Sequence, residues 1–227
     1  MKRRAQAEKV MAIQEAERKE GSRWEGWFEI IVAVMLGLAT LASAWSAYQS
    51  GRWNGIQTFR LAESNAAARR AAEKAVFANQ LRTLDAVMFE RYVSAFSEKN
   101  QPLAEFLLQR FRPELQVATV AWLATRPWEN PQAPLTPFAL DKYSLPVEKE
   151  VQQWREEEAK KVAEARRANE IADTYLLLTV LYSVVLFLSG ITATFKRRNP
   201  QVVVLALGVI TMTAAAIAMA LLPLAAE

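Results

Sequence analysis

Three stretches of this chain are long, apolar and free of charged side chains, and they decide which solvent it can fold in. They run from Ile30 to Tyr48, from Tyr175 to Phe195 and from Val202 to Leu222. A hydrocarbon layer ~30 Å thick is crossed by about 20 helical residues, and Trp and Tyr favour its two interfaces. The first stretch is entered through Trp24, Trp27 and Phe28 and left through Trp45, Tyr48 and Trp53, which fits that spacing. The rest of the chain is dense in Glu, Lys, Arg and Ala. Such segregation is expected where one part of a chain is solvated by lipid and another by water.

The expected fold is therefore all-α: an integral membrane protein with three transmembrane helices and a long-helix stalk domain between the first and second. Its parts are a cytoplasmic amphipathic segment (residues 1–26), transmembrane helix 1 (27–48) and an extramembrane helical domain (49–174). Transmembrane helix 2 (175–195), a basic turn (196–201) and transmembrane helix 3 (202–222) follow. The triplet Ala42-Ser43-Ala44 has the look of a signal-peptidase site. The segment before the apolar run is about 29 residues long and carries six Glu, unlike a short basic leader. The first stretch is read as an anchor.

Orientation follows from Lys and Arg in the short flanks. The N-terminal segment holds Lys2, Arg3, Arg4, Lys9, Arg18, Lys19 and Arg23, and the turn holds Lys196, Arg197 and Arg198. Three spans put both segments on one side, so the N-terminus and the turn are expected in the cytoplasm. The central domain and the C-terminus are expected outside it. Arg52, Arg60, Arg166 and Arg167 flank the opposite side, but long loops obey the rule less strictly than a short turn does.

The same residues limit the chemistry. The chain has no cysteine and no histidine, so disulfides, thiolate zinc sites and Ser-His or Cys-His triads are outside its reach. An enzyme is not expected, and neither cofactor nor metal. A net charge of +4, with no basic stripe interleaved with aromatics, speaks against nucleic acid as a partner.

Between Gly55 and Gln101 there is no internal proline or glycine, and Phe77, Leu81, Leu84, Met88 and Tyr92 mark one expected buried face. One helix from Trp24 to Asn100 is conceivable, with a bend or break near Gly51 and Asn54-Gly55, a turn-forming dipeptide. Pro102 suits the first turn of a second helix with Leu103, Phe106, Leu107 and Phe111 on one side. Pro113 starts a third or kinks the second, with Leu115, Val117, Val120, Trp122 and Leu123 following. Residues 127–146 form a proline-rich loop, either a partner-binding segment or a rigid wrap plugged by Trp128, Phe138 and Tyr143. A charged helix from Val147 to Asp173 then leads into the second span, with Val147, Val151, Trp154, Val162, Ala165 and Ala172 as its apolar seam. Glu156 and Glu157 can pair with Lys160 and Lys161 four residues on. The long helix before the loop is expected to pack antiparallel against it.

Candidate functional residues are of two kinds. Ala39, Ser43, Ala47, Gly51 and Gly55 recur every fourth position, and Gly208, Thr211, Ala215 and Ala218 form a comparable strip in the third stretch. Small residues at that spacing let helices approach closely, within the chain or between copies; a pore lined by Thr40, Ser43 and Ser46 is the sharpest alternative. Trp27, Trp45, Tyr48, Arg52, Trp53, Lys196, Arg197 and Arg198 are candidates for the interface and its lipid phosphates. Trp45, Tyr48, Gln49, Arg52 and Ile56 share one face if the helix continues outward.

The run Ala44-Trp45-Ser46-Ala47-Tyr48-Gln49-Ser50-Gly51-Arg52-Trp53-Asn54-Gly55 and the turn Phe195-Lys196-Arg197-Arg198 resemble the junctions of a class of bacterial membrane proteins of the domain-of-unknown-function type. These have one N-terminal span, a charged helical insert and a C-terminal two-span hairpin. The resemblance implies the same layout in a bacterial inner membrane and carries no activity with it. The expectation is a membrane-anchored helical scaffold or assembly protein. Its partners would be the lipid bilayer, further copies of itself in a coiled-coil-like oligomer, and other envelope proteins reached through the central domain. The alternative is an oligomeric ion or small-solute channel with the first span near the pore.

Overall fold

The computed structural model describes the backbone of residues 2–192, 194–195 and 197–225, and the side chains of residues 26–192, 194–195 and 197–225. The side chains of residues 1–25, on which the amphipathic reading of the N-terminal segment rests, and Lys196 of the basic turn lie outside the described residues. Five α-helices follow in order: α1 (Lys2–Ser97), α2 (Gln101–Arg110), α3 (Pro113–Ala124), α4 (Pro146–Thr192) and α5 (Arg198–Leu221). A single 3-10 turn, Pro137–Ala139, interrupts the proline-rich loop. The fold is all-α, and α1, α4 and α5 are each long and apolar enough to cross a membrane, the layout of a multi-pass membrane protein.

Two compact units divide the chain. One comprises Met1–Thr58 with Ala165–Glu227, the other Phe59–Glu164. The boundaries lie inside the expected 49–174 domain. Gln49, Ser50, Ala168 and Ala172 are buried with the apolar stretches, not with the central domain.

In the first unit, α1 buries Phe28, Met35, Ala39, Ser46 and Gln49. The α4 seam runs Ala165, Ala168, Ala172, Tyr175, Leu178, Tyr182, Val185, Ser189 and Thr192. Steps of three and four keep one face of a helix against its neighbours over many turns. Ala215 of α5 completes the core. Leu38, Leu41, Val180, Phe187, Val203 and Ile210 point outward. So many exposed large apolar side chains are costly in water and favourable in hydrocarbon.

The expected break near Gly51 and Asn54-Gly55 does not occur: α1 is continuous through all three residues. Glycine in a helix interior costs about 1 kcal/mol relative to alanine. The helix formers on either side outweigh two such penalties. The basic turn is also shorter than the expected 196–201, because Arg198, Asn199, Pro200 and Gln201 already belong to α5. Proline is tolerated in a first turn, where its missing N–H has no helical partner. Gln201 Nε2 donates to the Phe195 carbonyl at 2.7 Å and ties the turn to the helix it opens.

In the second unit, α1 and α4 run antiparallel, as expected. Arg60 pairs with Glu164 at 3.1 Å, Lys161 with Glu63 at 3.0 Å and Lys74 with Glu150 at 2.7 Å. Arg70 lies over the Trp154 ring at 4.6 Å. From 60 to 74 on α1 the partner falls from 164 to 150 on α4, a constant antiparallel register. Arg82 and Glu148 close the series at the start of α4. Lys161 also lies 3.7 Å from Glu157, the one expected i,i+4 pair that appears. Small residues Ala67, Ala71 and Ala78 line the contact.

The expected buried face of this part of α1 holds in part: Tyr92 is buried, and Leu81 and Met88 are half-buried against the core. Phe77 and Leu84 are exposed, while Ala78, Asp85, Phe89 and Tyr92 face inward. Leu103 and Phe106 of α2 and Val117 and Val120 of α3 are likewise exposed, and Ala104, Phe111, Leu115, Ala118 and Trp122 fill the core. In each helix the periodic apolar residues straddle two faces, and the face with the smaller or aromatic members packs. The loop is a wrap plugged by aromatics. Phe138 meets Phe89 edge-on at 5.8 Å and Tyr143 at 4.8 Å, and Trp128 stacks on Phe96 at 4.3 Å.

Candidate functional site

Of the small residues that recur every fourth position in α1, only about three consecutive members can share a face, and neither they nor the strip of α5 share one environment. Ala39 and Ala215 are fully buried in the core of the first unit. A methyl group added at Gly208 would meet Met35 Cε at 3.2 Å and Leu188 Cβ at 3.8 Å, so this glycine marks close approach between helices. Ser43 and Thr211 are half-buried, and Ala47, Gly51, Gly55 and Ala218 are exposed. Nothing lies within 4 Å of a methyl group built at Gly26, Gly37, Gly51 or Gly55. A four-residue step drifts ~40° around a helix, so a strip that begins inside at Ala39 ends outside at Gly51. The three hydroxyls expected at a pore also part company. Ser46 is fully buried and donates to Met219 Sδ at 3.7 Å, Ser43 is half-buried, and Thr40 is exposed and donates to the Leu36 carbonyl.

The interfacial candidates divide similarly. Trp27, Trp45 and Tyr48 are exposed, the last two as a tilted ring pair at 5.8 Å; Arg197 and Arg198 are exposed and Arg52 is half-buried. Gln49, expected on the face of Trp45 and Tyr48, turns inward instead. Its Oε1 accepts from the Ala225 N–H at 3.2 Å. Trp53 Nε1 and the Tyr175 hydroxyl both donate to the Pro223 carbonyl, at 3.2 and 3.3 Å. Residues 223–225 are thus held by side chains from α1 and α4. These bonds satisfy polar groups that would otherwise be stranded at the end of a helical bundle.

The densest buried chemistry is in the second unit and was not anticipated. Asp85 of α1 is 2% exposed. Its Oδ2 accepts from the Tyr143 hydroxyl at 2.9 Å and from Arg112 Nη1 at 3.3 Å. Arg112 Nη2 lies 3.2 Å from Glu114 Oε2, which is buried without a hydrogen bond. Arg112 caps the α2–α3 corner and Tyr143 ends the proline-rich loop, so one carboxylate ties both to α1. Burial pushes the Asp85 carboxyl above the ordinary Asp range; Tyr143 and Arg112 oppose that rise, and Glu114 adds to it. Burial, and then the bond to Asp85, pushes the Tyr143 phenol up as well.

A sequence signal for Asp85 existed. It stands seven residues from both Ala78 and Tyr92, an acid in the middle of a seam. Choosing the face of Phe77 and Leu84 concealed it. Glu114 and Arg112 carry no such pattern and are brought to Asp85 only by the corner at Pro113.

These groups can hold and exchange a proton. Among the described residues no set of acidic side chains is arranged to hold a metal ion. Comparison with protein-family models, with curated proteins and with solved structures finds no match to this chain.

Proposed function

We propose that this protein is a membrane-anchored assembly protein of a bacterial inner membrane, in which the helical unit 59–164 joins copies of the chain, and other envelope proteins, outside the bilayer. The observation that carries this reading is the outward flank of α1. Val76, Phe77 and Leu84 are 57%, 49% and 60% exposed, and Val87 is exposed beside them. They lie on a stretch of charged helix whose opposite side makes the contacts with α4. An exposed apolar face on a water-solvated helix is the usual mark of an interaction surface. The open space at Gly26, Gly37, Gly51 and Gly55, on and beside the first span, supports association between copies there as well. Each glycine costs helix stability, and a second helix approaching there would recover that cost through backbone contact. The basic flanks support a cytoplasmic side for the N-terminus and for the turn between spans 2 and 3.

The test is the mass of the full chain in detergent or native membranes. The unsubstituted protein is expected to run as an oligomer, and Phe77→Glu with Leu84→Glu as a monomer that remains folded. A wild-type chain that stays monomeric at every concentration would remove the proposal. Orientation has its own check: a reporter fused near Asn130 should be silent in the cytoplasm, and a cytoplasmic signal overturns the topology.

A further inference from the structure

Two carboxylates and a phenol gathered around one guanidinium form an unbalanced cluster. Asp85 and Glu114 bring two negative charges, and Arg112 brings one positive charge to both. The neighbouring charges do not restore the balance. Arg82 on α1 also faces Tyr143, but its guanidinium is engaged by Glu148 at the start of α4. The four groups come from three places: α1, the α2–α3 corner and the loop. They are the polar links joining these elements at this point, beside the aromatic core of Phe89, Trp122 and Phe138.

We propose that Asp85, Arg112, Glu114 and Tyr143 form a proton-tightened clamp, which takes up one proton from solvent on acidification and then holds the proline-rich loop and the α2–α3 corner more firmly on α1. The proton goes to Asp85, so that one negative charge fewer faces the guanidinium. The protonated Asp85 and the Tyr143 hydroxyl still share a hydrogen bond, since either oxygen can accept from the other. At neutral pH the clamp is closed but carries an uncompensated buried charge. That excess favours brief openings of the loop.

The sign follows from linkage. A carboxyl that burial raises binds its proton more tightly folded than unfolded. Its contribution to stability is fully present below the ordinary Asp value of about 4, and it is lost as pH rises through the raised folded value. Other carboxylates behave oppositely. Glu63, held down by Arg60 and Lys161, loses its contribution on acidification. The clamp must therefore be read locally and as a difference between variants.

The experiment is hydrogen exchange on the full chain in detergent micelles from pH 7.5 down to about 4, the ordinary Asp value, corrected for intrinsic exchange rates. The readout is the protection of the Leu140 and Tyr143 amides, which donate to the Pro137 and Leu140 carbonyls. In the unsubstituted protein their protection is expected to rise several-fold as the pH falls. In Asp85→Asn, a neutral side chain of the same size, it should be high at the outset and independent of pH. In Glu114→Gln the rise should persist but move to lower pH, because Asp85 then has the guanidinium to itself. Protection that falls on acidification in the wild type, or that responds to pH equally in the wild type and Asp85→Asn, overturns the clamp. An unshifted profile in Glu114→Gln does so too, because the two carboxylates would not be sharing one cation.

Discussion

Trp122→Ala should be the most damaging single substitution in the 59–164 unit, costing about 3–5 kcal/mol. The indole is buried between Phe89, 5.2 Å away edge-on, and Trp128, 5.4 Å away. Its Nε1 also donates to the Pro134 carbonyl at 2.6 Å. Truncation therefore removes a large apolar plug and leaves a loop carbonyl without its donor. The first consequence is opening of the loop. Trypsin cleavage at the exposed Lys142 should accelerate roughly a hundredfold or more, if opening is fast relative to cutting, since every 1.4 kcal/mol is a factor of about ten. A cleavage rate equal to that of the wild type would mean that Trp122 does not hold the loop.

Arg112→Ala should come close behind, at about 3–5 kcal/mol near neutral pH, because it strands Asp85 and Glu114 in the interior without their cation. The loss should shrink as the pH falls and Asp85 takes up its proton. A thermal or denaturant transition of the unit, followed at two pH values, reads this directly. Adding Asp85→Asn to Arg112→Ala should recover part of the loss, since the penalty lies in the abandoned charge more than in the missing pair. Strictly additive effects would show that the two side chains are not coupled.

Much of the architecture is legible in the sequence. Stretches such as Tyr175–Phe195 can bury their backbone polar groups only as helices, and helix formers on both sides of α1 and α4 extend them far past the apolar windows. The proline at 113 opens a helix where expected, and the aromatics Phe138 and Tyr143 plug the loop. The antiparallel pairing of the long charged helices was also foreseeable, because a narrow seam such as Val147, Val151 and Trp154 needs an equally narrow partner.

The face each helix buries could not be read in this way. Phe77 and Leu84 satisfy a helical period with Tyr92 as well as Ala78 and Asp85 do. Periodicity measures spacing along one helix and contains nothing about the shape of the neighbour. What separated the two was the close approach of α4, which admits Ala71 and Ala78 and excludes a phenyl ring. The every-fourth repeat from Ala39 to Gly55 drifts around the helix, so only about three consecutive members can share a face, and packing alone decided which of them are covered. The buried Asp85 cluster was the least legible feature of all. Its members are scattered from residue 85 to residue 143 and bond only because the corner at Pro113 and the wrapped loop return them to α1. Local sequence determined that these segments are helices and that three of them are apolar enough for lipid; tertiary packing alone decided which side chains meet, because contact depends on two surfaces and a sequence pattern describes one.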